Sequence, residues 1–327
     1  MMKAAWYDEC GAAADVLQLG HVEIPEPGSG ELRVRMGASG INPVDFKLRM
    51  GGRGKPPASR VIPHHDGAGV IDAVGEGVSE ERVGERVWLY EAAWQRSSGT
   101  AAEAVVVPAH LAVPLPDGTS FEEGACLGIP AMTAHRSVHA SGEVHGKVLL
   151  VTGGAGAVGH YAIQFAKMAG AHVITTVSNE EKAALAKAAG ADLVLNYKTE
   201  DVAARVKEFT KGEGVDSISE VEFGGNLETS LRVLKVGGSI NTYASEADPE
   251  PKIPFYRMLY KGITLNHVIV FAMPEEAKRR AIEDITSGLV AGTLAHQVGM
   301  AFSLDDIAAA HEAAEAGVQG KVVINRF

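Results

Sequence analysis

The stretch KVLLVTGGAGAVG, residues 147–159, decides the fold of this 327-residue chain. Its first part, Lys147–Thr152, is an apolar run rich in valine and leucine, which predicts a buried strand. The glycines follow at once, and a helix with one apolar side is predicted to begin at Ala157. A strand, a tight glycine turn and a helix in this order are typical of the phosphate-binding segment of a dinucleotide-binding fold.

Each glycine of this turn has its own predicted task. Gly154 permits the tight turn, Gly156 lets a pyrophosphate approach the backbone, and Gly159 lets helix and strand pack closely. Ala157 and Val158 begin the helix, whose free N–H groups and dipole favour phosphate. The turn therefore predicts a site for a nicotinamide dinucleotide, and hence an oxidoreductase.

Strands and helices alternate regularly through the rest of this region. The six predicted strands are Lys147–Thr152, Ala171–Val177, Asp192–Leu195, Val215–Val221, Gly238–Tyr243 and Ile263–Val270. The helices predicted between them include Ala157–Ala169, Glu180–Ala189 and Asp201–Lys211. Such alternation predicts an α/β fold with a doubly wound, parallel, six-stranded sheet.

The residues before this region predict a β-rich domain. Short apolar runs separated by glycine and proline predict strands at Val16–Leu19, Glu31–Met36, Ala68–Ile71, Arg86–Tyr90 and Ala104–Val107. The last elements, helices Pro274–Ala291 and Leu304–Ala316 and strand Lys321–Asn325, are too few for a core of their own. We therefore predict a first domain over 1–122, a dinucleotide-binding domain over 123–265, and a segment over 266–327 that returns to complete the first domain.

Composition and charge argue against several function classes. A net charge of −11 without a basic cluster disfavours binding to nucleic acid or to an anionic membrane. The two cysteines, Cys10 and Cys126, lie far apart, so a reducing, cytoplasmic compartment is predicted. No stretch approaches the ~20 apolar residues of a membrane span.

The end of the second predicted strand distinguishes NADP from NAD. An NAD site needs an acid there to accept from the ribose 2′-hydroxyl, whereas this chain has Ser178, followed by Lys182. A small hydroxyl with a lysine suits a 2′-phosphate better, although Glu180 and Glu181 would repel it. Ser178 and Glu181 also predict a capping box for the next helix. The residues favour NADPH as the cofactor.

Further segments, in order along the chain, match one known family. They are Gly40–Asp45, Asp66–Val70, Ala73–Gly75, Gly84–Val87, Pro114–Gly118, Phe121–Ala125, Thr133, Val151–Gly159 and Gly320–Val323. Over nearly its whole length the chain resembles the zinc-independent quinone oxidoreductases, the ζ-crystallin-like branch of the medium-chain dehydrogenase/reductase superfamily. The resemblance implies a GroES-like catalytic domain beside a Rossmann domain, NADPH as reductant, a small-molecule quinone or conjugated carbonyl as acceptor, and a homodimer.

The resemblance also implies positions for the site residues. Asn42 and Asp45 would line the substrate cleft. The cofactor would be held at its nicotinamide end by Thr133, Tyr243, Val268 and Val270, at its pyrophosphate by Gly156, Val158 and Gly159, and at its adenosine phosphate by Ser178, Lys182 and Tyr197.

Asn42, His65 and Ile129 stand where the related zinc alcohol dehydrogenases carry metal ligands. Because a catalytic zinc needs three protein ligands, we predict no metal. Asn42 is then a candidate hydrogen-bond donor to the substrate, or a cap for the turn before Pro43. Asp45 is a candidate for orienting this loop, and His65 is a candidate proton relay.

Three functions stay open at this point. The first is an NADPH-dependent quinone reductase, and the second an NADPH-dependent reductase of 2-alkenals, enones or acyl thioesters. The third is a non-catalytic, crystallin-like NADPH-binding protein. Arg49 could favour an anionic or carbonyl oxygen or lie exposed at the surface, and Gly51–Gly54 predicts a glycine-rich loop.

Overall fold

The computed structural model describes residues 1–52, 56 and 59–327, and they form two compact units. The first unit combines Met1–Ile129 with Ile282–Phe327, and the second is Pro130–Ala281. Each division lies inside a continuous helix, and both come later in the chain than the boundaries predicted after residues 122 and 265. Arg53 and Gly54 of the predicted loop lie outside the described residues.

Strands and helices follow one another along the described chain. The strands are β1 Met2–Trp6, β2 Gln18–Val22, β3 Glu31–Gly40, β4 Asp66–Val74, β5 Arg86–Leu89, β6 Ala104–Pro108, β7 Ala112–Pro114, β8 Val148–Val151, β9 His172–Val177, β10 Leu193–Asn196, β11 Val215–Glu220, β12 Leu234–Thr242, β13 Thr264–His267, β14 Val298–Ser303 and β15 Lys321–Arg326. The α-helices are α1 Ala13–Val16, α2 Pro43–Arg49, α3 Phe121–Gly124, α4 Gly128–His139, α5 Ala157–Met168, α6 Glu180–Ala188, α7 Val202–Phe209, α8 Phe223–Val233, α9 Phe255–Lys261, α10 Glu275–Val290 and α11 Ile307–Glu315. Short 3₁₀ helices cover Glu80–Arg82, Ala109–Leu111, Val270–Ala272 and Leu304–Asp306.

The second unit is built on a six-stranded parallel sheet, which confirms the predicted doubly wound α/β class. Its strand order is β10-β9-β8-β11-β12-β13, so two mononucleotide-binding halves meet between β8 and β11. Apolar side chains such as Leu150, Ile174 and Ile218 fill its core. Ligands of such sheets bind beyond the carboxyl ends of the strands near the point where the halves meet, and the glycine turn follows β8 there.

The predicted sixth strand is longer than the observed one. Pairing between β12 and β13 ends at His267. Val268 donates its N–H to the Thr242 carbonyl, and Val270 then begins a 3₁₀ helix. The prediction of a strand over Val268–Val270 is therefore wrong, because an apolar run continued past the end of the ladder.

The first unit contains a mostly antiparallel sheet with the order β14-β15-β3-β4-β5-β7, in which β6 also pairs with β3. The pairing of β15 with β3 joins the end of the chain to this sheet. The strand predicted at Val16–Leu19 is wrong in its first residues, since Val16 ends α1 and β2 begins at Gln18. None of the helices in the described part of the chain combines the length and apolarity needed to cross a membrane.

Candidate functional site

The glycine turn after β8 is shaped by two adjacent glycines. Gly153 adopts the left-handed conformation, with φ of 68°, so this turn also needs a glycine that the prediction did not name. Gly154 is required for a different reason, because an added Cβ would lie 2.0 Å from the Thr175 Oγ1 atom on the neighbouring strand β9. The close contact between the turn and β9 thus excludes any side chain at Gly154.

Gly159 and Gly156 differ in what surrounds them. A Cβ on Gly159 would lie 2.3 Å from the Gly153 carbonyl oxygen, so the first turn of α5 packs directly against the glycine turn. Gly156 is exposed, and an added Cβ would meet only the Gly153 carbonyl oxygen, at 3.3 Å. No other part of the described chain fills the space above Gly156. A pyrophosphate could therefore approach the backbone there.

The N-terminus of α5 offers hydrogen-bond donors at the same place. Gly156 is the N-cap residue and provides no side chain to the helix. The first N–H bonded to a carbonyl four residues back is that of His160, which donates to Gly156. The N–H groups of Ala157, Val158 and Gly159 therefore have no such acceptor, and together with the helix dipole they can bind a phosphate.

The residues predicted for the adenosine end of the cofactor lie around the end of β9. Asn179, not Ser178, caps α6, and its side chain accepts from the Lys182 N–H at 2.9 Å. The predicted capping box of Ser178 and Glu181 is therefore wrong. Ser178 and Lys182 are half-buried, while Tyr197 follows the adjacent strand β10 and is exposed. Ser178 is thus not engaged in capping the helix.

A buried carboxylate, Glu220, lies beside the glycine turn and was missed from the sequence. One of its oxygens accepts from the Thr152 hydroxyl at 2.7 Å and from the Glu222 N–H and the Asn226 amide at 2.8 Å each. Burial raises the pKa of Glu220 although these donors oppose the rise. An acid at the carboxyl end of a predicted strand of the parallel sheet was the signal that could have indicated it.

The residues predicted for the nicotinamide end lie in the same unit. Thr133 is buried in α4, and Val270 is buried in its 3₁₀ helix. A pocket of about 540 Å³ opens at the carboxyl ends of β12 and β13, and Tyr243 and Val268 both line it. Burial raises the pKa of Tyr243, and the nearby Glu220 carboxylate raises it further, so its hydroxyl stays protonated.

In the first unit, Asn42 belongs to a buried charge cluster formed with Asp66 and Lys321. The Asn42 amide nitrogen donates to Asp66 at 2.8 Å, and the Lys321 ammonium donates to Asp66 at 3.0 Å and to the Asn42 amide oxygen. The second Asp66 oxygen accepts from the Ile129 N–H at 2.9 Å. The cluster fixes the orientation of the Asn42 amide, and sequence reasoning missed Asp66 and Lys321 as its members.

Asp45 and His65 form a second buried pair in this unit. His65 Nδ1 lies 2.6 Å from the Asp45 carboxylate, whose other oxygen accepts from the Asn42 N–H at 2.7 Å. Burial alone would raise the pKa of Asp45, but its hydrogen bonds from His65 and from the Asn42 N–H lower the pKa to about 2. Asp45 is therefore ionised and accepts the Nδ1 proton of His65.

Arg49 is neither exposed nor close to the cluster of Asn42. Its side chain is fully buried and donates to the Gly11 carbonyl, to the Glu315 carboxylate, and to His311 Nδ1 at 3.4 Å. The interpretation of Arg49 as an exposed surface residue is therefore wrong, and its partners come from parts of the chain that no local pattern connects.

The residues of the first unit do not fit a zinc site of the alcohol dehydrogenase kind. Asp66 and Lys321 hold the Asn42 amide, and the Ile129 side chain has no lone pair to offer. His65 is the single remaining donor of the three, and its Nδ1 is bonded to Asp45. Among the described residues of this unit, no three His, Cys, Asp or Glu side chains converge closely enough for a metal.

The predicted site residues fall into two sets, one in each unit. Asn42, Asp45 and His65 share hydrogen-bonded neighbours in the first unit. The glycine turn, Ser178, Lys182, Tyr197, Thr133, Tyr243, Val268 and Val270 belong to the second unit.

Family comparisons match both units. The alcohol dehydrogenase GroES-like domain matches residues 28–117, and the zinc-binding dehydrogenase family matches residues 157–287. The first match lies within the first unit and covers β3 to β7 in full.

Several relatives are similar to the whole chain. Quinone oxidoreductase of Rattus norvegicus is 30% identical over 328 residues, covering 99% of this chain and 98% of its own. The structure of a mycobacterial protein complexed with NADPH is 30% identical, covers 99% of this chain and 100% of its own, and has a TM-score of 0.85. An NAD-dependent alcohol dehydrogenase is also 30% identical, with both chains covered to 100% and a TM-score of 0.90. The chain is an oxidoreductase that belongs to the quinone oxidoreductase branch of the medium-chain dehydrogenase/reductase superfamily.

Proposed function

We propose that this oxidoreductase uses NADPH to reduce a quinone by direct hydride transfer that needs no metal. The observation that carries the proposal is an open phosphate-binding turn at Gly156 combined with Ser178, instead of an acid, at the end of β9. The relatives named quinone oxidoreductase and the NADPH complex of the mycobacterial structure support it.

The second unit supplies the residues that would hold NADPH. The N–H groups of Ala157 and Val158 would bind the pyrophosphate above Gly156. Ser178, Lys182 and Tyr197 would hold the adenosine phosphate, and Thr133, Tyr243, Val268 and Val270 would border the nicotinamide. When bound, NADPH supplies the hydride, while the protein supplies position and electrostatics.

The first unit supplies groups for the acceptor. Lys321 donates to the Asn42 amide oxygen, and Asp66 accepts one of the two Asn42 N–H bonds. The second N–H can donate to the oxygen that gains charge during hydride transfer. His65, aligned by the ionised Asp45, would then deliver the proton to the reduced product. Conjugation already activates a quinone, so these groups suffice without a Lewis acid.

An acceptor panel tests the proposed function. We expect steady oxidation of NADPH on adding a simple quinone, with the same rate after incubation with a chelator. Turnover of 2-alkenals or enones alone would instead favour the alkene reductase. Oxidation of an alcohol with NAD⁺ that the chelator abolishes would favour the activity named for the structural neighbour of TM-score 0.90. Tight NADPH binding without any turnover would favour the non-catalytic alternative.

Replacing Ser178 by aspartate should shift the preference towards NADH. A carboxylate at the end of β9 repels the 2′-phosphate and accepts from a ribose hydroxyl, so we expect the KM for NADPH to rise at least about tenfold, which is ~1.4 kcal/mol. The matched control is Asn179→Asp, which adds the same charge one residue later and retains the cap of α6. Equal effects of the two variants would contradict a specific role of Ser178.

Replacing His65 by glutamine should slow turnover without weakening the binding of NADPH. Loss of a positioned acid typically lowers rates by 10²–10⁴, and we expect kcat with a quinone to fall about 100-fold while the KM for NADPH changes less than twofold. His110→Gln removes an exposed histidine of the same unit as a control. An unchanged kcat in the His65 variant would show that solvent supplies the proton.

We further propose that the protein is a homodimer formed through α9 and β13. Phe255, Tyr256 and Tyr260 of α9 are 64%, 68% and 81% exposed, and β13 ends the sheet, pairing with β12 alone among the described strands. An aromatic face beside an open strand edge can pair with its own copy about a two-fold axis.

The location in the cytoplasm stays a prediction.

Replacing both Phe255 and Tyr260 by serine should therefore halve the molar mass in solution. The exposed apolar residue Val83 of the first unit, changed to serine, serves as the control and should leave the mass unchanged. Sedimentation equilibrium at micromolar concentration measures both. A wild-type protein that sediments as a monomer would refute the dimer.

A further inference from the structure

A buried hydrogen-bonded chain of side chains crosses the first unit next to His65. Its members, in order, are Arg49, His311, His64, Ser39, Thr100 and the backbone carbonyl of Asp66. We call this set the buried polar chain. All five side chains are fully buried, and they come from α2, α11, β3 and the segments before β4 and β6.

The direction of every hydrogen bond in the buried polar chain follows from its two ends. The Asp66 carbonyl can only accept, so Thr100 donates to it at 2.6 Å and must accept from Ser39 at 2.7 Å. Ser39 must then accept from His64 Nδ1 at 2.8 Å. At the other end Arg49 can only donate, so His311 Nδ1 accepts and His311 donates through Nε2 to His64 Nε2 at 2.9 Å.

Both histidines are consequently neutral and hold one tautomer each. A proton added to His64 would place two N–H groups against each other between His64 and His311. Burial lowers the pKa of His64 to about 4, with Lys321 and His65 lowering it and Asp45 opposing them. Burial, His64 and Arg49 likewise lower the pKa of His311 well below its usual value. Since the guanidinium at one end cannot release a proton, the chain holds its members in place and does not conduct protons.

The hydrogen bonds of the buried polar chain hold His64 in an unusual backbone conformation. Its φ is 80°, in the left-handed region that residues other than glycine rarely adopt and that persists where the surroundings enforce it. The His64 carbonyl accepts from the Thr100 N–H at 3.1 Å, and the next carbonyl, of His65, accepts from Ala92 at 3.0 Å. Because the dihedral angles of His64 set the direction of the next residue, a relaxed His64 would turn His65 away from Asp45.

We propose that Arg49, His311 and His64 are positioning residues that align His65 with Asp45. The inference rests on the proposed function, in which His65 delivers the proton. His311 is the member to test, because it joins the buried guanidinium to the strained residue.

The test compares His311→Leu with His311→Gln. Leucine removes both bonds of His311, whereas a glutamine amide can accept from Arg49 and donate to His64. The first measurement is the downfield NMR signal of the His65 Nδ1 proton in its 2.6 Å contact with Asp45. We expect this signal to shift or vanish in the leucine variant and to persist in the glutamine variant.

The second measurement is turnover with a quinone. In the leucine variant we expect kcat to fall about tenfold, the solvent deuterium isotope effect on kcat to rise to about 2, and the KM for NADPH to stay within twofold, as a misplaced acid implies. Ile307→Ala, which removes apolar contacts of the same helix, controls for lost stability and should change the melting temperature only.

An unchanged His65 signal in the leucine variant, or the same kcat in the leucine and Ile307 variants, would overturn the inference. The proton-delivery role of His65 fails separately, because His65→Gln would then itself leave kcat unchanged. A shifted His65 signal together with an inactive wild type would support the positioning role and refute the quinone reductase.

Discussion

Replacing Gly156 by valine is expected to abolish NADPH binding while the protein stays folded. Gly156 is exposed and has an extended backbone with φ of −76° and ψ of 163°, which suits a β-branched residue. An added side chain would occupy the space where a pyrophosphate approaches the N-terminus of α5. We expect the Kd for NADPH, measured by calorimetry, to rise at least about 100-fold, or ~2.7 kcal/mol.

The contrasting variant is Gly159→Ala, three residues further along. Its Cβ would lie 2.3 Å from the Gly153 carbonyl oxygen, so the helix must shift, and overpacking of this kind costs about 1–3 kcal/mol of unfolding free energy. We expect a lower denaturation midpoint for Gly159→Ala and an unchanged one for Gly156→Val. Wild-type affinity for NADPH in the Gly156 variant would refute the pyrophosphate site.

Of the substitutions proposed for this protein, Lys321→Met is expected to lower the free energy of unfolding most. Lys321 and Asp66 are 4% and 0% exposed, and the ammonium lies 3.0 Å from the carboxylate. The variant leaves the Asp66 charge buried without its cation, and breaking a buried pair in this way typically costs 3–5 kcal/mol. Denaturant titration measures the unfolding free energy directly.

The double variant Lys321→Met with Asp66→Asn separates charge from packing. It removes both charges, so we expect it to recover a large part of the stability lost in the single variant. A single variant within about 1 kcal/mol of the wild type would contradict the buried pair. The same loss in the single and double variants would mean that the stability comes from packing of the lysine stem.

Local patterns in the sequence were sufficient to predict the fold class of the second unit. The apolar run before the glycines, the helix after them and the repeated alternation all act over short distances, so the six strands could be located from their own residues. The structure places β8 at Val148–Val151 and α5 at Ala157–Met168, against predictions of Lys147–Thr152 and Ala157–Ala169. The end of β13 was missed because apolar residues continue beyond the last ladder bond.

Choices between adjacent residues of the same kind were less predictable. Gly153 and Gly154 are both glycine, and the sequence does not say which one takes the left-handed conformation. Ser178 and Asn179 are both good N-cap residues, and the path of the chain after β9 selects Asn179.

The partners of the first unit could not be predicted from spacing at all. Lys321 lies 279 residues from Asn42 and 255 from Asp66 along the chain, and His311 lies 262 from Arg49. Only the antiparallel pairing of β15 with β3 and the packing of α11 bring them together. The resemblance indicated Asn42 and Asp45, but Asp66 and Lys321, which hold the Asn42 amide, were visible as its partners only in three dimensions.

The division of the first unit between both ends of the chain has a consequence for folding during synthesis. All six strands of the parallel sheet lie between residues 148 and 267. The ribosome therefore synthesises the whole of that sheet before it synthesises β14 and β15. Until Lys321 emerges, Asp66 lacks its cation and β3 lacks its β15 neighbour. The inserted unit can therefore fold first, and a nascent chain that stalls before residue 321 would carry a finished nucleotide-binding sheet beside an open strand edge prone to aggregation.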